Sequence, residues 1–353
     1  MLRSLLLLPF AALVLACSSD DGGAAGESPP APSPTATSTP EAAEATATPS
    51  PAPAATPLPS PQPPTPEPTA IATEDLPIVD LHFHPEPAWG DLEALFDQLN
   101  VRAAGNGASG PSSIALEQAE QFPSRIIAFG GGHEVRQLIL AHGEQAWDLQ
   151  AGEITAFLDE LDAQLQAGEF RGIGEIHVNN QASNIPGSPQ YLYPADSPLL
   201  QELFSLAGAH GVPLSIHMDA EPASVAEMER LLSSNRSANL LWAHTGHYAE
   251  PDLIRRLLEQ HPNLYCELSY RISLSVSRTA TPMDTNGVLA QDWLELLEAF
   301  PDRFVIGTDL SFAAPASYAA MIAAWRGVLL QLSPATAAAL AHLNAERLIP
   351  DLP

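Results

Sequence analysis

Two histidines one residue apart, His82 and His84, end the apolar segment 76–85 of this 353-residue chain. On a β-strand alternate side chains share a face, so the two imidazoles would lie side by side, with Asp80 beneath them as a candidate support that orients a ring. Paired imidazoles suit a divalent metal ion. One histidine of such a pair often packs in a core while the other is solvated. A metal site is therefore predicted only if other parts of the chain supply further ligands.

Candidate ligands recur at the ends of four later apolar segments. They are Glu175 and His177, His217, His244, and Asp309. Each has an ordinary explanation alone, because histidine ends many strands and aspartate caps helices. Together they form a mixture of nitrogen and oxygen donors that suits zinc first, and also manganese or iron. We therefore predict a site for one or two divalent ions.

Short strand-like segments alternate with amphipathic helical segments. The predicted strands are 78–83, 101–104, 125–130, 172–177, 213–217, 239–244, 263–268 and 304–307. The predicted helices between them include 92–99, 135–147, 154–166, 199–209, 224–233, 251–260 and 288–300. This alternation predicts parallel strands with right-handed crossovers, closed into a (β/α)₈ TIM barrel. An open doubly wound sheet is the alternative, but no glycine-rich dinucleotide fingerprint follows the first strand.

Active sites of such barrels lie at the carboxyl ends of the strands, where the candidate ligands fall. Their order, His-x-His, Glu, His, His, Asp, resembles the amidohydrolase superfamily. Four further segments resemble its amidohydrolase-related branch, namely 243–246, 263–269, 303–309 and 344–348.

The resemblance implies a metal-dependent hydrolase with a defined ligand set. Its implied ligands are His82, His84, Glu175, His217, His244 and Asp309. His244 would bind a second ion or polarise the substrate, and Asp309 would also take a proton from water. Glu175 matches a bridging glutamate of several hydrolases, which decarboxylases of the branch generally lack. Pairing with an arginine such as Arg171 is the ordinary alternative for Glu175.

The leading functional hypothesis is hydrolysis of an amide, ester, lactone or phosphoester bond in a small molecule. A decarboxylase with one metal ion and a non-catalytic surface binding protein are the alternatives. Candidate substrate contacts are His177, Tyr191 and Arg271, of which Arg271 could equally form a surface ion pair. The long segment 179–194 is a candidate lid, and His247 is expected to be solvated.

The amino terminus indicates export. Residues 1–16 combine a basic end with a short apolar run typical of a signal peptide, and Cys17 follows in a sequence that resembles a bacterial lipobox. Residues 17–74, rich in Pro, Ala and Thr, predict a disordered linker, and 75–353 a single domain. We expect a lipoprotein anchored through Cys17 to the outer face of a membrane in the cell envelope.

Composition excludes several functions. The net charge of −28 disfavours nucleic-acid binding, since acidic residues repel phosphate backbones. The sequence contains no lysine, which excludes Schiff-base chemistry and a bridging carboxylated lysine. Cys266 is the single cysteine of the predicted domain, so no disulfide can form within it. The sequence leaves the oligomeric state open.

Overall fold

A computed structural model describes residues 72–84, 91–106, 110–181, 190–272, 282–284, 286–310, 315–349 and 351–352. The predicted signal peptide 1–16, Cys17, and nearly all of the predicted linker lie outside these residues. Those assignments, and the domain boundary at residue 75, therefore stay predictions.

Eight parallel strands follow one another around the sheet in chain order. They are β1 (Ile78–Phe83), β2 (Val101–Asn106), β3 (Ile126–Gly131), β4 (Gly172–His177), β5 (Pro213–His217), β6 (Asn239–Ala243), β7 (Leu264–Glu267) and β8 (Phe304–Val305). The chain just past β8 returns to β1, where Leu81 N donates to Ile306 O over 2.9 Å and Thr308 N donates to His82 O over 3.1 Å. The barrel is thus nearly closed, and the predicted (β/α)₈ architecture is confirmed.

Helices separate the strands. They are α1 (Leu92–Leu99), α2 (Ser112–Gln121), α3 (Gly132–His142), α4 (Glu144–Trp147), α5 (Glu153–Gln166), α6 (Pro198–His210), α7 (Pro222–Ser234), α8 (Pro251–Gln260), α9 (Gln291–Ala299), α10 (Pro315–Leu329), α11 (Pro334–Ala338) and α12 (Asn344–Leu348). None of these helices is long and apolar enough to cross a membrane.

Local sequence sets the helix boundaries. In α6 the Ser197 hydroxyl accepts from Leu200 N, Pro198 opens the first turn, and Gly211 ends the helix with φ 67°. The single helix predicted at 135–147 is divided in two, because Gly143 takes φ 59° between α3 and α4. Sequence patterns did not predict α2 or α10, since α2 buries only Ser112 and Ala115 and α10 is apolar on most sides.

Two buried clusters hold the barrel together. The larger packs strands against the surrounding helices, as where Phe83 of β1 meets Phe96 of α1 and Tyr318 of α10. The smaller cluster joins side chains of several strands to Leu348 of α12 and to Ile349, which follows that helix. Its members on strands are Val79, Leu81, Ala103, Ile127, Phe129, Leu241, Tyr265 and Val305. This cluster fills the barrel interior, so the carboxyl ends of the strands are set on a rigid base.

Candidate metal centre

The loop after β8 carries Asp309 to the two histidines at the end of β1. Asp309 has φ 47°, and its N–H donates to His82 O over 2.7 Å. Its carboxylate oxygen Oδ1 consequently lies 3.1 Å from His82 Nε2 and 3.0 Å from His84 Nε2. The predicted convergence of residues from the first and last strands is therefore present in the fold.

Glu175 lies between these residues and the histidines of β5 and β6. Its Oε2 is 3.4 Å from His82 Nε2, whereas its Oε1 is 3.0 Å from His217 Nδ1 and 3.2 Å from His244 Nε2. The ion pairs of Glu175 within the described residues are with histidines, and Arg171 forms none of them. The barrel thus brings all six predicted ligands to one centre.

The spacing of the donor atoms fits a divalent ion. Ligands about 2 Å from one zinc ion lie roughly 3 Å from each other, close to the separations found here. Donor atoms of His82, His84 and Asp309 lie within 4.8 Å of one another. Moreover, within the described residues the buried His82 Nε2 forms no hydrogen bond of acceptable geometry, although Glu175 Oε2 and Asp309 Oδ1 lie 3.4 and 3.1 Å away. Buried imidazole nitrogens that lack a protein partner are suited to metal coordination.

Glu267 and Ser269 orient two of these imidazoles from behind. His82 Nδ1 donates to Glu267 Oε2 over 2.9 Å, and Ser269 Oγ donates its only hydrogen to the same carboxylate oxygen over 2.7 Å. The Ser269 oxygen must then accept from His244 Nδ1, 2.7 Å away. In their neutral forms both rings therefore present a lone pair at Nε2, the atom that faces the centre.

Glu267 was not among the candidate residues from sequence, although it ends a predicted strand as a carboxylate. Burial alone would raise its pKa, but the charge of His82 and the hydrogen bonds from His82 and Ser269 hold the pKa below its ordinary value. An ionised Glu267 is consistent with its role as the acceptor of hydrogen bonds from His82 Nδ1, Ser269 Oγ and His244 N.

Residues 79–350 match a protein-family model described as Amidohydrolase. The chain belongs to the amidohydrolase family. Membership indicates a metal-dependent enzyme, in agreement with the ligand set, and leaves the reaction to be assigned. A search of curated proteins found no match.

Several solved structures are similar to this barrel at low sequence identity. An uncharacterised TIM-barrel protein from Bordetella bronchiseptica is 15% identical, with a TM-score of 0.51 over 77% of this chain and 98% of its own. A 2,6-dihydroxybenzoate decarboxylase from Rhizobium is 15% identical, with a TM-score of 0.49 over 77% and 98%. An amidohydrolase from Burkholderia multivorans with bound zinc is 16% identical, with a TM-score of 0.47 over 78% and 100%. The first of these supports the fold assignment.

The charges at this amidohydrolase centre favour a bound cation. Burial opposes ionisation of Glu175 and Asp309, but His82 and its neighbouring histidines hold both carboxyl pKa values well below the ordinary range. Burial likewise opposes protonation of His82, yet Glu175, Asp309 and Glu267 raise its pKa well above its ordinary value. Without a metal ion, the negative charges of Glu175 and Asp309 are therefore balanced by a protonated His82.

Asp80 supports the backbone beneath the centre, whereas the sequence predicted that it orients an imidazole. Its Oδ1 accepts from His82 N over 3.1 Å and from Thr308 N over 3.0 Å, and its Oδ2 accepts from Thr308 Oγ1 over 2.8 Å. Burial raises its pKa to about 7 despite these hydrogen bonds. Asp80 thus joins β1 to the chain after β8, and Glu267 holds the His82 ring.

Tyr270 is a second residue that the sequence did not indicate. Its ring centroid lies 5.2 Å from that of His244, and it forms a hydrogen bond with Asp309. The Asp309 charge, followed by burial, raises the pKa of Tyr270, so the hydroxyl stays protonated and donates to the carboxylate. Tyr270 lies shortly after the end of β7 and has φ 61°. No local sequence pattern predicts this backbone conformation.

His177 and Tyr191, two predicted substrate contacts, lie beside the centre and touch each other. The His177 ring stacks on His217 with centroids 5.0 Å apart and planes 4° apart, and its Nδ1 contacts the Tyr191 hydroxyl. Burial lowers the His177 pKa to about 4, which leaves the ring neutral. Tyr193 N donates to Val178 O over 2.8 Å, so the ends of the candidate lid are paired; its tip, 182–189, lies outside the described residues.

Arg271 and His247 differ from their sequence-based interpretations. The Arg271 side chain is buried, donates to the carbonyls of Thr245, His247 and Ala249, and lies over the Trp293 ring. Burial lowers its pKa to about 9. It therefore holds the turn after β6 and is not exposed to a substrate. His247 was expected to be solvated, yet it is largely buried and its Nδ1 lies 2.7 Å from Asp219 Oδ1.

Proposed function

We propose that this protein is a metal-dependent hydrolase that cleaves an amide, ester, lactone or phosphoester bond in a small molecule. The observation that supports hydrolysis is the position of Glu175. One carboxylate oxygen faces His82, and the other faces His217 and His244. A carboxylate with that placement would be able to hold one ion or to lie between two.

The residues divide into two ligand groups. His82, His84 and Asp309 would hold an ion at the end of β1, while His217 and His244 would hold one on the other side of Glu175. Zinc is the proposed metal because the donors are imidazole nitrogens and carboxylate oxygens in a compact arrangement. A bound ion supplies a Lewis acid that polarises the scissile carbonyl or phosphoryl oxygen and lowers the pKa of water to about 7.

Asp309 is the proposed proton acceptor for the attacking water. The adjacent histidines keep its pKa well below the ordinary value, so the carboxylate is ionised. Its position beside His82 and His84, and not this lowered pKa, is the reason to propose it as the acceptor of a proton from water at the site of attack. Tyr270 and the His82 O contact to Asp309 N fix this carboxylate in place. His244, fixed through Ser269, presents Nε2 towards the same centre for an ion or the substrate oxygen.

A panel of small esters, lactones, amides and phosphoesters tests this proposal on zinc-loaded and chelator-treated protein. We expect cleavage of at least one class, abolished by chelation and restored by the metal. Release of carbon dioxide from aromatic acids without any hydrolysis would contradict the proposal and favour a decarboxylase.

We also propose that the chain is an exported lipoprotein attached to the membrane through Cys17. The support is the sequence of residues 1–17 alone. Fractionation of expressing bacteria should place the protein in the membrane, and Cys17→Ser should release it while leaving the hydrolytic rate unchanged. Equal distribution of the two proteins between membrane and soluble fractions would contradict the anchor.

A further inference from the structure

A cavity of about 150 Å³ opens beside the metal centre, between α3 and the end of the candidate lid. Its lining residues are Val135, Arg136, Ile139, Leu140, His177, Gln190, Tyr191 and Tyr193. His177 connects it to the centre, because the same ring stacks on the predicted ligand His217. A molecule whose reacting bond lies at the centre could thus extend a second group into this cavity.

The walls are mostly apolar and aromatic. Val135, Ile139 and the largely exposed Leu140 come from successive turns of α3, and Tyr191 and Tyr193 face them from the chain after β4. Tyr193 is supported from behind by Trp147, with ring centroids 5.0 Å apart. A cavity of this volume and lining accommodates a group of about the size of a benzene ring.

Arg136 gives the cavity a positive charge. Acidic residues outnumber basic ones by 42 to 14 in this chain, yet Arg136 forms no ion pair with any carboxylate among the described residues. The nearest acidic residue in sequence, Glu134, is engaged by Ser112, whose N and Oγ donate to it over 3.0 and 2.6 Å. Arg136 is therefore placed to bind an anion that enters the cavity.

We propose that this cavity binds the non-reacting end of the substrate, an apolar chain or ring that terminates in a carboxylate held by Arg136. This inference rests on the proposed function only for the position of the scissile bond. A guanidinium pairs with a carboxylate through two parallel hydrogen bonds, and the apolar walls would contact the chain or ring that carries the carboxylate. The substrate class is thus narrowed to anionic amphiphiles with the reacting bond at the opposite end.

Two probes of equal shape test the proposal by calorimetry on the full metal-loaded chain. They are 3-phenylpropanoate and its neutral amide. Because a hydrogen bond to a charged group contributes more than a neutral one, we expect the carboxylate to bind about tenfold tighter than the amide. Arg136→Gln should bring the two affinities within about twofold, and Arg136→Lys should retain part of the preference.

Arg236→Gln is the matched control. Arg236 is also exposed, but it lies in the connection before β6, at the amino ends of the strands, so the preference for the carboxylate should be unchanged. Equal affinities in the unaltered protein, or no binding of either probe, would overturn the proposal. So would a preference that survives Arg136→Gln, because the metal or another group would then bind the carboxylate.

The probe comparison and the hydrolase panel fail independently. Binding of the probes requires no turnover. If a protein without hydrolase activity still preferred the carboxylate probe in an Arg136-dependent way, the role of the cavity would be supported and the proposed reaction would be contradicted. Hydrolysis of neutral and anionic esters with equal KM, unaffected by Arg136→Gln, would sustain the reaction and overturn the assignment of the cavity.

Discussion

Glu267, the last residue of β7, accepts a hydrogen bond from His82 Nδ1 over 2.9 Å. The carboxylate thereby sets which nitrogen of His82 faces the candidate metal centre. Residues in this position behind a metal-binding histidine typically contribute 10–100-fold to metal affinity or activity.

Glu267→Gln should weaken zinc binding by about 10–100-fold, because an amide cannot accept from His82, Ser269 N and Ser269 Oγ in the same way as a carboxylate. Competition with a chromogenic chelator measures the affinity. The exposed Glu295→Gln on α9 is the control and should bind zinc as the unaltered protein does. Unchanged affinity in Glu267→Gln would show that the His82 ring needs no such acceptor.

Gly307, two residues beyond β8, leaves room for Glu267. A Cβ at this position would lie 1.9 Å from Glu267 Oε1 and 2.8 Å from His82 Cβ. Gly307→Ala should therefore displace the carboxylate and lower both zinc affinity and the free energy of unfolding.

Gly327→Ala is the matched control for this substitution. Gly327 lies within α10, where an added Cβ meets no atom within 4 Å, so alanine should stabilise the helix by about 0.5–1 kcal/mol. Chemical denaturation and chelator competition give both quantities. If the Gly307→Ala protein had the zinc affinity and the free energy of unfolding of the unaltered protein, the close approach of Glu267 to residue 307 would be refuted.

Arg271→Met distinguishes a supporting residue from a substrate contact. The side chain donates to three carbonyls in the turn after β6, and their loss would leave buried acceptors unsatisfied. We expect the free energy of unfolding to fall by about 3 kcal/mol. Exposed Arg347→Met should change it little. An Arg271→Met protein of normal stability but strongly raised KM would instead support the substrate contact predicted from sequence.

Glu175→Gln tests the residue that favours hydrolysis over decarboxylation. Its carboxylate lies within 3.4 Å of three predicted metal-binding histidines. Loss of a ligand should exceed the effect of an outer contact, so hydrolysis should fall by about 100-fold or more. Circular dichroism would verify that the barrel is folded. Full activity in the folded variant would remove Glu175 from the mechanism.

Alternation of strands and helices predicted the fold and the meeting of distant ligands. Parallel strands direct their carboxyl ends to one face, which is why His82, Glu175 and His217 could be grouped from sequence alone. Asp309 was also predicted, although it lies beyond the hydrogen-bonded part of β8. The apolar residues 304–307 indicated a strand, and Asp309 lies two residues after it.

Supporting contacts around the centre could not be predicted in the same way. Glu267 depends on the close approach that Gly307 permits, and Tyr270 depends on a turn with positive φ. Arg271 has the sequence context of a surface residue, yet three backbone carbonyls from a loop more than twenty residues away enclose it. Each is a consequence of tertiary packing between elements that are separate in sequence.

Metal content is the most direct test of the account, because every proposed role at this centre depends on a bound ion. Elemental analysis of protein purified with added zinc or manganese should give one or two equivalents per chain, and His82→Ala should lower that value. Less than one equivalent in folded, unaltered protein would contradict the central claim.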